Sequence, residues 1–324
     1  MALSVLTPEE VQHKLLEKSY AAQETYYAMY STWWGGVVKK PAMMLVPIDD
    51  HLVHRGDGVF EAIKVVDNRA FLLDEHLQRL VDSAAQISLP LPMSKEEMKK
   101  VILETTEISG AKDALLRLYI SRGPGGFTTN PYDSVASQMY LVITSLKPMA
   151  EEKYQKGVSI GKSAIPPKDP WFARIKSCNY LQNVLMKKES VDRKLDFTVG
   201  FTQEGFLTES STENIVILDK DSNLVRPKLH QILKGTTMMR AFELAESLKT
   251  QGLIKGIQER DLHENEIRNA KEVMMIGTTL DVLPVSSYEG AKIGEGVQGP
   301  VAKQLLQLLK EDIKRGPKST PVKA

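Results

Sequence analysis

The chain has 324 residues, 42% hydrophobic and 26% charged. These are the proportions of a globular protein, and they exclude collagenous, low-complexity and disordered chains. Lys and Arg number 42 and Asp and Glu 41, so the basic excess of a nucleic-acid binder is missing. The single cysteine, Cys178, rules out an intrachain disulfide or a cysteine-based zinc site and matches a reducing compartment.

No stretch approaches the roughly 20 apolar residues of a bilayer span. Residues 1–11 lack the basic and apolar regions of a signal peptide. The expectation is a cytoplasmic protein with no membrane partner.

Thr7-Pro8-Glu9-Glu10 opens a helix: Thr7 caps, Pro8 suits the first position and Glu10 completes a capping box. It is predicted to continue to about Tyr30, taking in Tyr20, Tyr26 and Tyr27. Strand-like runs follow at 36–38, 43–47, 59–66 and 70–73. Asp74 caps a helix to about residue 88, with Leu77, Leu80, Val81 and Ala84 at helical spacing. Ser94 caps another over 95–108, stopped by Gly110. Strands at 115–121 and 139–145 flank a glycine-rich loop over 123–133.

Residues 146–157 hold Pro148 and several charges without an apolar period, and read as a linker. It separates a domain over 1–145, with an extra N-terminal helix, from one over 158–324. The second half begins with a strand at 158–160 and a helix over 180–193. A meander follows at 196–202, 206–209, 214–218 and 224–226, then a helix over 234–249. Strands come near 257 and at 272–276 and 283–288, before a last helix over 299–313. The polar tail 314–324, with Pro317 and Pro321, is expected to be mobile. Helices and strands mix without regular βαβ alternation, which indicates an α+β fold.

Walker A, GxGxxG, HExxH and GxSxG motifs are absent, and the six histidines show no metal-ligand spacing. No metal is expected. Three polar segments stand out instead. Lys176 sits in Ile175-Lys176-Ser177-Cys178-Asn179-Tyr180, just before a helix; a partly desolvated lysine becomes a nucleophilic amine. Glu209 sits at a strand end in Leu207-Thr208-Glu209-Ser210-Ser211-Thr212-Glu213-Asn214. A carboxylate there suits a protonated pyridine nitrogen. Leu233-Lys234-Gly235-Thr236-Thr237 opens a helix whose free N–H groups suit an anion. A similar turn, Gly277-Thr278-Thr279, follows a later strand. Taken singly, these are also a surface lysine, a polar turn and an ordinary cap.

Their joint order, together with Glu75-His76-Leu77-Gln78-Arg79-Leu80, resembles the class IV pyridoxal-phosphate aminotransferases. That family includes D-amino-acid transaminases, branched-chain aminotransferases and aminodeoxychorismate lyases. The resemblance implies fold type IV: a small α/β N-terminal domain and a larger pseudo-barrel domain, assembled as a homodimer or higher oligomer. It implies pyridoxal 5′-phosphate as cofactor and a small-molecule amino acid and 2-oxo acid as substrates. Lys176 would be the Schiff-base lysine and proton carrier, and Glu209 would face the pyridine nitrogen. Arg79, Thr236, Thr237, Gly277 and Thr278 would hold the phosphate, with Tyr180 near the phenolic oxygen. Phe60, Arg55, Arg117 and Thr279 would lie toward the substrate.

His54-Arg55-Gly56-Asp57-Gly58-Val59-Phe60-Glu61 is similar to plant D-amino-acid transaminases. The Arg-x-His that traps a carboxylate in bacterial D-amino-acid transaminases is replaced by Phe127-Thr128-Thr129. Met238 stands where relatives often carry an arginine, with Arg240 two residues on. The reading is a transaminase acting on a D-amino acid or a branched-chain type. Aminodeoxychorismate lyase, amine transaminase and a non-catalytic relative are the alternatives.

Overall fold

The computed structural model describes residues 3–323. The chain divides into two compact units. One holds the residues up to Ala70, Leu80–Leu146 and the last residues from Pro321; the other holds Phe71–Arg79 and Lys147–Thr320.

The first unit is built from β1 (Tyr26–Ser31), β2 (Gly36–Val38), β3 (Gly58–Val66), β4 (Arg69–Phe71), β5 (Ala114–Ser121) and β6 (Gln138–Ser145). Its helices are α1 (Pro8–Glu17), α2 (His51–Arg55) and α4 (Lys95–Ser109), and the division between the units falls inside α3 (Leu73–Gln86). The strands lie in the order β4-β3-β5-β6-β1-β2, every neighbouring pair antiparallel. Ile63, Leu116, Leu118, Leu141 and Ile143 are fully buried on this sheet, with Met98 and Ile102 of α4. Ser94 and Glu97 form a reciprocal capping box at the start of α4, and Gly110 ends it in the left-handed region at φ 75°.

The predicted helix to Tyr30 is shorter. The Thr7–Glu10 capping box forms, but α1 stops at Glu17 and Lys18 is extended. Tyr26, Tyr27 and Tyr30 belong to β1, which pairs with β6 through Met29↔Val142. Bulky aromatic side chains fit a pleated, half-buried surface better than a solvent-facing helix. The run 43–47 forms no strand: Pro41 opens a short 3₁₀ turn instead.

The second unit holds β7 (Val158–Lys162), β8 (Phe197–Phe201), β9 (Leu207–Ser210), β10 (Asn214–Leu218), β11 (Asn223–Arg226), β12 (Gly256–Glu259), β13 (Glu272–Gly277), β14 (Asp281–Tyr288) and β15 (Ala291–Lys292). Its helices are α5 (Glu151–Lys156), α6 (Pro170–Ala173), α7 (Leu181–Asp192), α8 (Thr236–Thr250), α9 (Glu264–Arg268) and α10 (Pro300–Arg315). The sheet order is β12-β11-β10-β13-β14-β7-β8-β9, with β15 on β14. The central strands β10 and β13 are buried along nearly their whole length, as their continuous apolar runs require.

Residues 146–157 are not a bare linker, because α5 occupies 151–156. The Tyr154 ring is buried there, and its hydroxyl donates to the Leu280 carbonyl at 3.0 Å. Residues 314–323 of the tail are ordered too, and Ala324 lies outside the described residues. Ser319 is buried with its hydroxyl donating to the Ile313 carbonyl at 2.6 Å, and the Val322 N–H bonds the Asn68 carbonyl at 2.8 Å. Polarity alone suggests mobility, but two buried side chains anchor the segment.

Candidate active site

Glu209 lies on β9, the edge strand that pairs with β8 through Val199↔Ser210. Beyond β9 the chain turns tightly, the Ser210 N–H bonding the Glu213 carbonyl at 2.9 Å. β10 then starts at Asn214, whose register partner is Ile276 at the end of β13. This pairing sets the β9–β10 turn beside Gly277 and Thr278.

The turn before α8 is held by three side chains. The Leu233 N–H donates to Glu209 Oε2 at 3.1 Å. The Asn214 amide donates to the Leu233 carbonyl at 3.0 Å. The Arg79 guanidinium donates to the Lys234 carbonyl at 3.0 Å. Gly235 precedes Thr236 as the cap residue and offers no side-chain bond to the helix. The first N–H groups of α8 therefore keep their donor capacity, at the positive end of the helix dipole. The Thr236 hydroxyl lies 3.2 Å from His76 Nε2 on α3.

One cleft, holding about 350 Å³ of space partly open to solvent, collects Arg79, Lys176, Glu209, Glu213, Asn214, Gly235, Thr236, Thr237, Gly277 and Thr278 among its walls. An amine, two carboxyls, a guanidinium and two turns rich in donors thus share one space. Burial pushes the Glu209 carboxyl up to about 7, although the Leu233 N–H and the ammonium groups of Lys168 and Lys176 pull it back. Glu213 is raised as well, again chiefly by burial.

Tyr180 is not among the lining residues. It stands at the start of α7, with Lys168 Nζ 5.0 Å from its ring centre. Thr279 is exposed in the turn after Thr278. Phe60, Arg55 and Arg117 belong to the first unit. The Phe60 ring lies 6.0 Å from that of Tyr119. Arg55 ends α2 and donates to the carbonyls of His54 and Phe127, each at 2.9 Å. Arg117 projects from β5 into solvent. Arg240 is bound to Asp312 at 2.6 Å and to Glu243 at 2.8 Å, and so belongs to the α8–α10 packing.

Sequence reasoning misses Asn214 and Gly235 as lining residues of this cleft. Asn214 and Gly235 lie inside segments that stand out in the sequence, but their bracing roles depend on contacts across about 20 residues. Among the described residues no group of three or more His, Cys, Asp or Glu side chains is placed to hold a metal ion. No helix among them is long and apolar enough to cross a membrane.

Residues 58–288 match the family model of amino-transferase class IV. The chloroplastic D-amino-acid transaminase of Arabidopsis thaliana is 35% identical over 98% of this chain and 84% of its own. The D-alanine aminotransferase of Bacillus licheniformis is 32% identical over 83% of this chain and 92% of its own. The solved branched-chain aminotransferase of Escherichia coli superposes with a TM-score of 0.83 at 25% identity, over 92% of this chain and 99% of its own. Fold, sequence and the composition of the cleft agree: the chain belongs to the class IV aminotransferases, α+β enzymes of fold type IV that transfer amino groups with pyridoxal 5′-phosphate.

Proposed function

We propose that the cleft around Lys176 and Glu209 is the cofactor site, and that the enzyme moves the amino group of a D-amino acid to a 2-oxo acid. The donor set fits the cofactor. The uncapped start of α8, the Gly277–Thr278 turn and Arg79 suit a phosphate. A carboxyl and an amine share the same cleft, as a pyridine nitrogen and an aldehyde require.

The bound cofactor supplies an electrophilic carbonyl carbon and an electron-withdrawing ring. Lys176 would hold that carbon through Nζ. As a free amine it would carry the substrate Cα proton. Glu209 holds its negative charge against the ring nitrogen and favours the protonated ring. Arg79, Thr236, Thr237 and Thr278 fix the phosphate and so orient the ring. The single observation that carries this reading is the meeting of Lys176, Glu209 and both anion-binding turns in one cleft.

The choice of a D-amino acid is supported by the Arabidopsis relative, which matches 98% of the chain. A branched-chain substrate is the second reading, supported by a putative branched-chain-amino-acid aminotransferase of Methanocaldococcus jannaschii, 31% identical over 82% of this chain. A homodimer is supported by the exposed apolar side chains Leu181, Val184, Leu185 and Val191 of α7, which flank the Lys188–Asp192 ion pair. The lone Cys178 supports a reducing compartment such as the cytoplasm.

The test is a visible spectrum of the cofactor-loaded protein, followed by D-alanine, L-leucine, L-glutamate and R-1-phenylethylamine added separately. Loss of the ~410–420 nm band with D-alanine alone supports the reading. Loss with L-leucine alone transfers it to the branched-chain class. No response to any donor removes the transaminase assignment of this site.

A further inference from the structure

Lys168 has no place in the reading of the sequence, yet its surroundings are built. Its segment is Pro166-Pro167-Lys168-Asp169-Pro170. Each proline fixes its own φ, and together they remove much of the freedom of a five-residue loop. The Gln182 amide ties the loop to α7 by donating to the Pro166 carbonyl at 2.9 Å. The Asp169 carboxylate is spent on the Trp171 N–H at 2.9 Å, capping α6. The loop thus presents the half-buried Lys168 side chain in a defined place.

We propose that Lys168 is a positioning residue of the cofactor site. Its ammonium stands over the Tyr180 ring, shares a cavity with the Glu209 carboxyl, and so fixes the ring's place while holding the carboxyl in its charged form. The inference rests on the cofactor-site reading given above.

Two observations carry it. Lys168 Nζ lies 5.0 Å from the Tyr180 ring centre, within range of a cation–π attraction. Lys168 and Glu209 line the same cavity, whose other walls include Ala173, Asn183, Met186 and Thr208. Besides burial, the groups that act on Glu209 include the Leu233 N–H, Lys168, Lys176 and Glu213, and the Arg79 guanidinium lines the same cleft. Glu213 opposes ionisation. Lys176 favours it, but its amine is the group that would react with the cofactor. Lys168 is therefore a further cation beside Glu209, alongside the Arg79 guanidinium of the same cleft, and one that takes no covalent part in the reaction. Burial lowers the proton affinity of Lys168 and Glu209 restores part of it, which is the reciprocal sign of the same pairing.

The experiment compares wild type, Lys168→Met and Lys168→Arg in two states. In the cofactor-free protein, thermal unfolding is followed from about pH 6 to 8, the range in which a carboxyl raised by burial ionises. Lys168→Met is expected to fall progressively below wild type across this range, as Glu209 ionises without its partner. Lys168→Arg is expected to track wild type, and the growing gap should vanish in a Glu209→Gln background. In the loaded protein, the pH midpoint of the cofactor's visible band is expected to rise by about one unit in Lys168→Met. It should stay within a few tenths in Lys168→Arg.

A gap constant with pH, or one that persists in the Glu209→Gln background, reduces Lys168 to packing and overturns the proposal. So does a Lys168→Met protein whose band titrates as wild type. Should wild type bind no cofactor at all, the cofactor-site reading fails by itself, while the unfolding arm still decides whether Lys168 controls Glu209.

Discussion

A β-carbon on Gly235 would lie 1.9 Å from Asn214 Oδ1. The two residues are distant along the chain, yet the Asn214 side chain fills the space that any other residue at 235 would need. The Gly235→Ala variant must push Asn214 aside, and with it the Leu233 carbonyl that Asn214 binds. We expect pyridoxal phosphate affinity to fall about tenfold or more, at a strain cost of about 1–3 kcal/mol. Equilibrium titration of cofactor-free protein measures this, and unchanged affinity would show that the turn does not shape the anion site.

Glu209 gives the cofactor-free protein a pH signature. Its folded pKa, about 7, lies above the ordinary carboxylate value. The folded state therefore holds more protons than the unfolded state between roughly pH 4.5 and 7, and stability falls as pH rises through that window. Glu209→Gln is expected to flatten this part of the profile, while lowering kcat by about 10²-fold or more in the loaded enzyme. Thermal scans at half-unit pH steps read the first effect and steady-state kinetics the second.

Lys176→Ala separates holding the phosphate from reacting with the carbonyl. The anion-binding turns survive this change, so the protein should still bind the cofactor. The ~410–420 nm band should be absent, and turnover should drop by roughly 10²–10⁴-fold. Dialysis retention and the spectrum test the two parts separately.

Arg240 tests the opposite case, an arginine that the sequence leaves near the anion site and the structure commits elsewhere. Asp312 is 7% exposed and binds Arg240 through two hydrogen bonds, of 2.7 and 2.6 Å. Asp312→Ala leaves a partly buried guanidinium without its main partner, at a cost of about 3–5 kcal/mol. A clear fall in melting temperature is expected, with cofactor affinity of the folded protein unchanged. A selective loss of affinity would return Arg240 to the phosphate.

Local chemistry makes most elements readable. The capping boxes at Thr7 and Ser94 announce their helices, and the apolar runs of β10 and β13 announce buried strands. Where a tertiary partner decides, the sequence alone misleads. Tyr26 to Tyr30 look helical until β6 offers a partner strand, and residues 314–324 look mobile until Val322 finds its buried place. The same holds for the site. Lys176, Glu209 and Thr236 are chemically conspicuous in their segments. Asn214, Gly235 and Lys168 look like ordinary turn residues, because what they do depends on groups distant along the chain.

The turn at Leu233-Lys234-Gly235 has its backbone gripped from two sides, by Glu209 and Asn214 at Leu233 and by Arg79 at Lys234. Each of these side chains also faces the cleft, while Lys234 itself is exposed. Occupancy of the cleft should therefore be legible to a protease. Trypsin is expected to cut after Lys234 in the cofactor-free protein and to be slowed there once pyridoxal phosphate is added, so that one exposed lysine serves as a reporter of loading in the absence of any substrate.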